Sequence, residues 1–566
     1  MSNKKQKKAD LVQLLLMIAI ILSLSYISQF FFTRIDLTAE KRFTLSHATK
    51  KILKNLDDIV FVRVYLDGDL NIPFKKMQKN IKETLDEFRV YAKDNLQYEF
   101  ANPFENVSDK ERNQIIKDLY DKGLQPTNIH SKDKEGGVAE KIIFPGAVIS
   151  YRGVDLSVNL LKNNPSLSAE QNINNSIEAL EYEFINIIHN ITNKKTEKIA
   201  FLEGQGELND YQVGDITREL ANYFQVDRGR INGQPGILDP YKAIIVAKPT
   251  KRFSEKDKYV LDQYIMHGGK VLWFLDAVQV NFDSLAGGGT IGFAYDLNLD
   301  DMLFRYGVRL NPNLIQDIQC GSLPVNVALQ GNPPKFVQAP WLYYPLLTPA
   351  NGVPVTQNLN LVKSEFASSL DTIAARKKVK KTVLLRTSKF TKLVETPVMI
   401  NLSEIRNEPD QKQFNTSYVP VAIMLEGTFD SSFKNRLVQD YFPGKKIDFA
   451  AQSKPNKMLV VADGDIIRND IRETPKGTMI SPLGLDKYTG QTFGNKDFII
   501  NAVNYMTDDY GLIKLRGREF KLRLLDREKI ASNRLEWQLI NTLFPALLVL
   551  VFGIFVLYLR KRKYAH

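Results

Sequence analysis

The sequence predicts an α/β body held between two membrane-spanning helices, and three observations carry that prediction. Two uncharged runs, Leu11 to Thr33 and Trp537 to Leu559, stand near the ends of the 566 residues; at about 1.5 Å per helical residue each is long enough for a hydrocarbon core of roughly 30 Å. Between them the apolar positions switch repeatedly between period two and period 3.6, the mark of strands interleaved with helices. The composition, 44% hydrophobic and 25% charged, is that of a folded soluble body. The apolar excess is therefore local, which excludes a polytopic transporter and a largely disordered chain.

The first run continues through Phe30-Phe31-Phe32, too long for the hydrophobic region of a cleaved signal peptide, although Ser23-Leu24-Ser25 resembles a cleavage site. The second begins with an interfacial-type Trp537 and stops at Arg560-Lys561-Arg562-Lys563. Pro545 removes one backbone donor inside it, and with Gln538 and Asn541 forms a set of groups that favour a protein neighbour over lipid. The formal charge is +12, and Lys4, Lys5, Lys7, Lys8 and the four basic residues at 560–563, against Asp10, supply more than half of it. Basic tails place both termini, 1–10 and 560–566, in the cytoplasm and the body on the other side. A footprint confined to the extremities also argues against a nucleic-acid surface.

Residues 34–192 read as a first domain. Val60, Val62, Val64 and Leu66 alternate as a strand, and Met77, Ile81, Leu85 and Phe88 recur at helical spacing. Leu96 to Phe100 is a second strand, a polar helix covers Glu111 to Tyr120, and strands follow at Ile142 to Tyr151 and Val154 to Val158. This order, β-α-β-α-β-β, is that of a thioredoxin-like domain without its CxxC, so it is expected to act as scaffold or binding surface. Loops are expected over 131–140 and 162–171, and Ile173, Ile177, Leu180, Phe184, Ile187 and Ile191 then trace one face of a long helix.

Residues 193–512 read as a second domain: strand Lys198 to Leu202, helix Gly214 to Tyr223, strand Ala243 to Ala247, helix Ser254 to Met266 and strand Lys270 to Leu275. The alternation implies a doubly wound sheet. Strands near Thr382 to Arg386, Val421 to Leu425 and Met458 to Ala462 extend it, and a helix containing Phe498, Ile499, Ala502, Val503 and Met506 closes it. Residues 286–354, rich in Gly and Pro, suggest an irregular insertion. Residues 513–536 form a basic juxtamembrane segment, with eight basic and three acidic residues from Ile513 to Arg534.

Most motifs of chemistry are absent. No GxxxxGK[ST] loop occurs, and the five histidines (His47, His130, His189, His267, His566) show no metal-ligand spacing. The single cysteine, Cys320, excludes an internal disulfide or a multi-cysteine zinc site. No catalytic residue, metal or cofactor is expected. Two acidic loops are candidate ligand sites because each follows a strand of the α/β sheet: Glu203, Gln205 and Glu207 in EGQGE, and Asp463, Asp465 and Arg468 in ADGDIIR. Turn and cap chemistry explains the same residues equally well.

The segments RIDLTAEKRFTLSHATKKIL after the first apolar run, EGQGEL, VVADGDIIRND and GNKDFIINAVNYMTDDYGLIKLRGREFKLRLLD before the last resemble the GldG family. These are the gliding-motility-associated auxiliary, or substrate-binding, components of ABC transporters of Bacteroidetes. The likeness spans nearly the whole chain and implies a Rossmann-like central domain, a bacterial inner-membrane location with a periplasmic body, and partnership with a GldF-like permease and a GldA-like ATPase. Many members of that family carry His where this chain has Gln205, which removes any inference of shared acid–base chemistry at that turn. Two alternatives use the same residues: an envelope enzyme of amidotransferase or hydrolase type working through the carboxylates at 203–207 and 463–465, and a scaffold that binds no transported solute.

Overall fold

The structure is a computed structural model and describes residues 12–21, 23, 44–105, 107–132, 138–162, 167–192, 197–281, 284–285, 287–326, 328, 333–373, 379–406, 408–437, 442, 448–475, 477–508, 511–517 and 532–564. Of the first apolar run, Val12–Ile21 is a helix; except for residue 23, the rest of 11–33 lies outside the described residues.

Helix α1 (His47–Lys54) starts at Ser46, whose hydroxyl accepts the Thr49 N–H at 3.0 Å, an N-cap that satisfies one of the otherwise unpaired amides of the first turn. Strand β1 (Val60–Val64) buries Val60, Val62 and Val64 on alternate positions. Helix α2 (Ile72–Ala92) is capped by Asn71 and buries Met77, Ile81, Leu85 and Phe88, the stripe that the spacing predicts. Strand β2 (Leu96–Phe100) and helix α3 (Asp109–Asp121), which opens with a Ser108–Glu111 capping box, follow. Strands Thr127–Lys132 and Val138–Ile143 pair antiparallel and take up 131–132 and 138–140 of the expected 131–140 loop; 133–137 lies outside the described residues. The single strand expected over 142–151 is divided by a break after Ile143.

Strands β3 (Gly146–Tyr151) and β4 (Val154–Asn159) complete a four-stranded sheet ordered β2-β1-β3-β4, in which β1 is parallel to β2 and antiparallel to β3. Helix α4 (Ala169–Thr192) buries Ile173, Leu180, Phe184 and Ile187 in the same core as α2. Lys76 on α2 donates to Asn174 Oδ1 on α4 at 2.8 Å.

The central sheet has ten strands. Its parallel part contains β5 (Lys198–Glu203), β6 (Gln225–Arg230), β7 (Ala243–Ala247) and β8 (Lys270–Phe274). Helices α5 (Gly214–Leu220) and α6 (Glu255–Met266) lie between them in sequence. Ser254 caps α6 by accepting the Asp257 N–H at 3.1 Å. Strand β7, AIIVA, is buried at every position, as expected of a parallel strand covered on both faces. Strand β6 escapes sequence reading because QVDRGR lacks an apolar stripe, and it lies at a sheet edge where burial demands least.

The described residues of 286–354 are far more regular than their composition suggests. They contain helix α7 (Asp300–Tyr306) and strands β9 (Cys320–Asn326) and β10 (Phe336–Pro349). Proline is tolerated in β10 because Pro340 and Pro345 face the β9 edge strand across a register shift between Cys320 and Ser322. Strands β11 (Val362–Lys363), β12 (Val379–Arg386), β13 (Pro420–Gly427) and β14 (Asn456–Val461) complete the sheet, and helix α8 (Asn495–Thr507) packs on its core. The strand order is β9-β10-β12-β13-β14-β8-β7-β5-β6, with β11 on β10. Strands β14, β8, β7, β5 and β6 run parallel, and from β14 outward through β13, β12 and β10 to β9 each pair is antiparallel.

Of the basic segment 513–536, Ile513 and Leu515 are buried in the core of the N-terminal sheet, as is Leu512 just before it. Residues 518–531 lie outside the described residues. Helix α9 (Arg534–Tyr564) contains the second apolar run, and Arg534–Arg562 is long and apolar enough to cross a membrane.

Candidate functional site

Parallel strands present their carboxyl ends on one side of a sheet, and ligands of open α/β sheets bind in crevices there. Both candidate loops lie at such ends, and both close onto the segment that follows β7. Thr250 and Lys251 donate their N–H groups to the Gln205 carbonyl at 2.8 and 2.7 Å. A Cβ built on Gly206, where φ is +73°, would lie 2.1 Å from Thr250 Oγ1; one on Gly464 would lie 2.6 Å from Lys248 Cβ. Glycine at both positions is what lets the two turns approach residues 248–251 so closely.

The carboxylates of the first turn are engaged within the fold. Glu203 Oε1 accepts Arg228 Nε at 2.6 Å, and Arg228 also pairs with Asp210 at 2.8 Å. Glu207 Oε2 accepts the Gln205 N–H at 2.8 Å, and burial pushes its carboxyl above the ordinary range. Gln205 Nε2 donates to Asp257 Oδ2 at 3.3 Å, and Asp257 Oδ1 accepts the Gly233 N–H at 2.9 Å. One aspartate thus ties together the loops after β5 and β6 and the start of α6. Gln205 Oε1 and Glu207 Oε1 are buried without a hydrogen-bond partner among the described residues.

The second turn leads into a buried string of alternating charge. Lys248, directly after β7, holds its ammonium 3.0 Å from Asp276 Oδ2 and hydrogen-bonds Asp465 Oδ2. Asp465 Oδ1 lies 2.6 Å from Arg468 Nε, and Arg468 Nη2 donates to Glu365 Oε2 at 2.8 Å. Lys363 continues the string, 3.5 Å from Glu365 Oε1 and 3.3 Å from Asp486 Oδ2. Asp463 stands behind it, accepting the N–H groups of Asp465 at 2.7 Å and Glu365 at 2.8 Å.

Burial raises the Asp276 and Glu365 carboxyls, with Lys248 and Arg468 respectively opposing. Asp463 is raised well above the ordinary range, by burial first and then by Asp465 and Asp276. For Asp465 burial also disfavours the charge, but Lys248 and Arg468 overcome it and its carboxyl falls below the usual range.

Oxygens of Asp276, Asp463 and Asp465 lie within 4.8 Å of one another. That spacing suits a hard cation, yet the Lys248 ammonium already holds the place between Asp276 and Asp465. The adjoining cavity, lined in part by Lys363, Asp465 and Arg468, measures ≈ 30 Å³. That is room for one water and no organic ligand. The arrangement is suited to locking strand ends together.

Sequence reasoning selects Asp463, Asp465 and Arg468 and misses Lys248, Asp276, Lys363, Glu365 and Asp486. Lys248 and Asp276 carry a usable signal, since each lies just beyond an expected strand end. The third candidate set is on α9, where Gln538, Asn541 and Pro545 are spaced by three and four residues and share one face. Pro545 offers no N–H to the Asn541 carbonyl, while Thr542 Oγ1 donates to the Gln538 carbonyl at 2.7 Å.

A protein of Borreliella burgdorferi described as uncharacterized is 20% identical over 570 residues, covering 99% of each chain. Among solved structures the N-terminal domain of mmIFT52 aligns over 55% of this chain and 98% of its own, at 13% identity and a TM-score of 0.31. Residues 39–150 match a family model for a domain of unknown function. The family model described as an ABC-type uncharacterized transport system matches residues 196–502, the whole parallel sheet with its charge string, and because this is more than half of the chain the protein belongs to that family.

Proposed function

We propose that the chain is a membrane-anchored auxiliary subunit of an ABC transporter, of the GldG type, joined to a GldF-like permease and a GldA-like ATPase and acting in gliding motility or the secretion that accompanies it. The observation that supports an auxiliary role is the family match over 196–502. The sequence has no P-loop, so nucleotide hydrolysis by that route belongs to another chain. The apolar α9 is suited to holding the body at the membrane.

In this reading both ends, 11–33 and 537–559, span the bacterial inner membrane, both tails are cytoplasmic and the body is periplasmic. Residues 34–192 form a thioredoxin-like unit, on the strength of the β2-β1-β3-β4 order, and 193–512 a Rossmann-like one, on the strength of the parallel strands. The shared face of Gln538, Asn541 and Pro545 meets the permease. The turns at 203–207 and 463–465 serve as joints of the body. An envelope enzyme would need Glu203 or Asp465 available to substrate, and both are held in ion pairs.

Affinity purification of the tagged chain from its native membrane tests this. Co-purification of a permease and an ATPase is expected, with no ATPase activity in the isolated chain. Recovery without any permease, or turnover that follows substitutions in this chain, overturns it. Replacing residues 537–559 by a generic Leu/Ala helix should keep membrane insertion and weaken permease recovery, whereas the same exchange at 11–33 should not.

A further inference from the structure

A groove of ≈ 720 Å³ opens between α7 and the turn that contains Ser432, sharing no residue with the charge string. That volume is within the usual range for organic ligands, about 300–1,000 Å³. Its walls are fixed from behind. Asp262, fully buried on α6, accepts the Tyr306 hydroxyl at 2.9 Å, the Ser431 hydroxyl at 2.6 Å, and both the N–H and the hydroxyl of Ser432 at 2.7 and 2.9 Å. A second brace crosses the rim: Asp301 accepts Lys258 Nζ at 2.8 Å and Arg436 Nη2 at 2.7 Å, and Arg436 Nη1 donates to Glu255 at 2.8 Å. Asp301 and Arg436 therefore satisfy each other and leave little charge for a ligand.

Two guanidinium groups on the same wall are different. Arg305 Nε is buried without a hydrogen-bond partner among the described residues. Arg309 is exposed and forms no ion pair among them. Beside them Phe304 leaves 47% of its surface uncovered. Asp371 stands opposite Arg309 across an antiparallel strand pair, and Asp300, whose carboxyl is pushed up by burial first and then by Asp296 and Asp301, is opposed by Arg309. A guanidinium presents parallel N–H groups that match a carboxylate or phosphate, and one without an ion pair has that geometry to offer.

We propose that this groove binds a small organic anion, a ring-bearing or otherwise apolar molecule carrying a phosphate or carboxylate, with Arg305 and Arg309 on the anionic group and Phe304 against the apolar part. The site rests on these residues alone and is independent of the transporter role. Asp300 acts as a brake, setting a negative charge next to the anion.

The test is titration calorimetry on the detergent-solubilised full-length chain with phenyl phosphate, benzoate, inorganic phosphate and phenol. One of the two aryl anions is expected to bind roughly tenfold or more tightly than inorganic phosphate, and phenol not at all; which of the two binds identifies the anionic group. R309Q, at an exposed position without an ion pair among the described residues, should weaken that binding by roughly tenfold or more. F304A should bring the aryl anion down to the level of inorganic phosphate, and D300N should tighten binding. Absence of aryl-anion binding at millimolar concentration, or affinities unchanged in both R309Q and D300N, overturns the proposal.

Discussion

Two groups of arginine, lysine and aspartate on the same body differ in how their charges are matched. Along the string from Asp276 to Asp486 every cation stands between two carboxylates. In the groove beside α7, Arg305 and Arg309 face open volume instead. Residue type alone does not separate them, since both are mixtures of acidic and basic side chains. The balance of partners does: a closed set of charges holds backbone segments in register, and an open set has interaction left to offer.

The largest expected effect is on the closed set. Lys248→Met leaves Asp276 and Asp465 buried without their shared counter-charge, and loss of about 3–5 kcal/mol is expected in urea unfolding. A loss under about 1 kcal/mol would show that the string is not what holds these strand ends.

Next is Gly464→Ala, whose Cβ would press on Lys248 Cβ and approach its Cα at 3.0 Å. Because the obstacle includes backbone, about 1–3 kcal/mol of destabilisation is expected from the same measurement.

A smaller effect concerns pH. The raised Asp463 carboxyl takes up a proton on folding, so its contribution is full below the ordinary carboxylate range and is lost as pH rises through its folded value. Asp465 has the opposite sign, stabilising above that range and losing its contribution as pH falls. The stability of Asp463→Asn relative to the parent should therefore improve between pH 4 and pH 8; an unchanged difference would remove Asp463 from the account. The smallest effect belongs to the open set. Arg309→Gln should shift stability by no more than about 0.5 kcal/mol, because no partner is left behind.

What the sequence reveals follows the strength of local pattern. AIIVA, the Met77-Ile81-Leu85-Phe88 stripe and the Ser254 cap have counterparts within a few residues of where spacing puts them, because burial and capping act over one or two turns. Strand β6 and the strands within 286–354 do not, since their order comes from neighbours far along the chain, such as Ser322 against Pro340. The candidate site divides in the same way. Asp463 and Asp465 are legible as a turn after a strand, but Glu365 lies 103 residues before its partner Arg468, beyond the range of any spacing argument. Cys320 illustrates the limit from the other side. Nothing in QDIQCGSLP reveals that burial first, and Asp317 second, push its thiol up to about 12.

The pairing of β8 with β14 also bears on how the protein is made. The Asp276 carboxylate receives the Gly464 N–H from 188 residues further on, and at about 5–20 residues per second the ribosome needs roughly 10–40 s to supply it. Throughout that interval KVLWF has a partner on the β7 side and a bare apolar edge on the other. Such an edge is a template for pairing with a foreign strand. The interval before the last parallel strand emerges is therefore when misassembly is expected, and crowding of nascent chains is the condition under which it should first be seen.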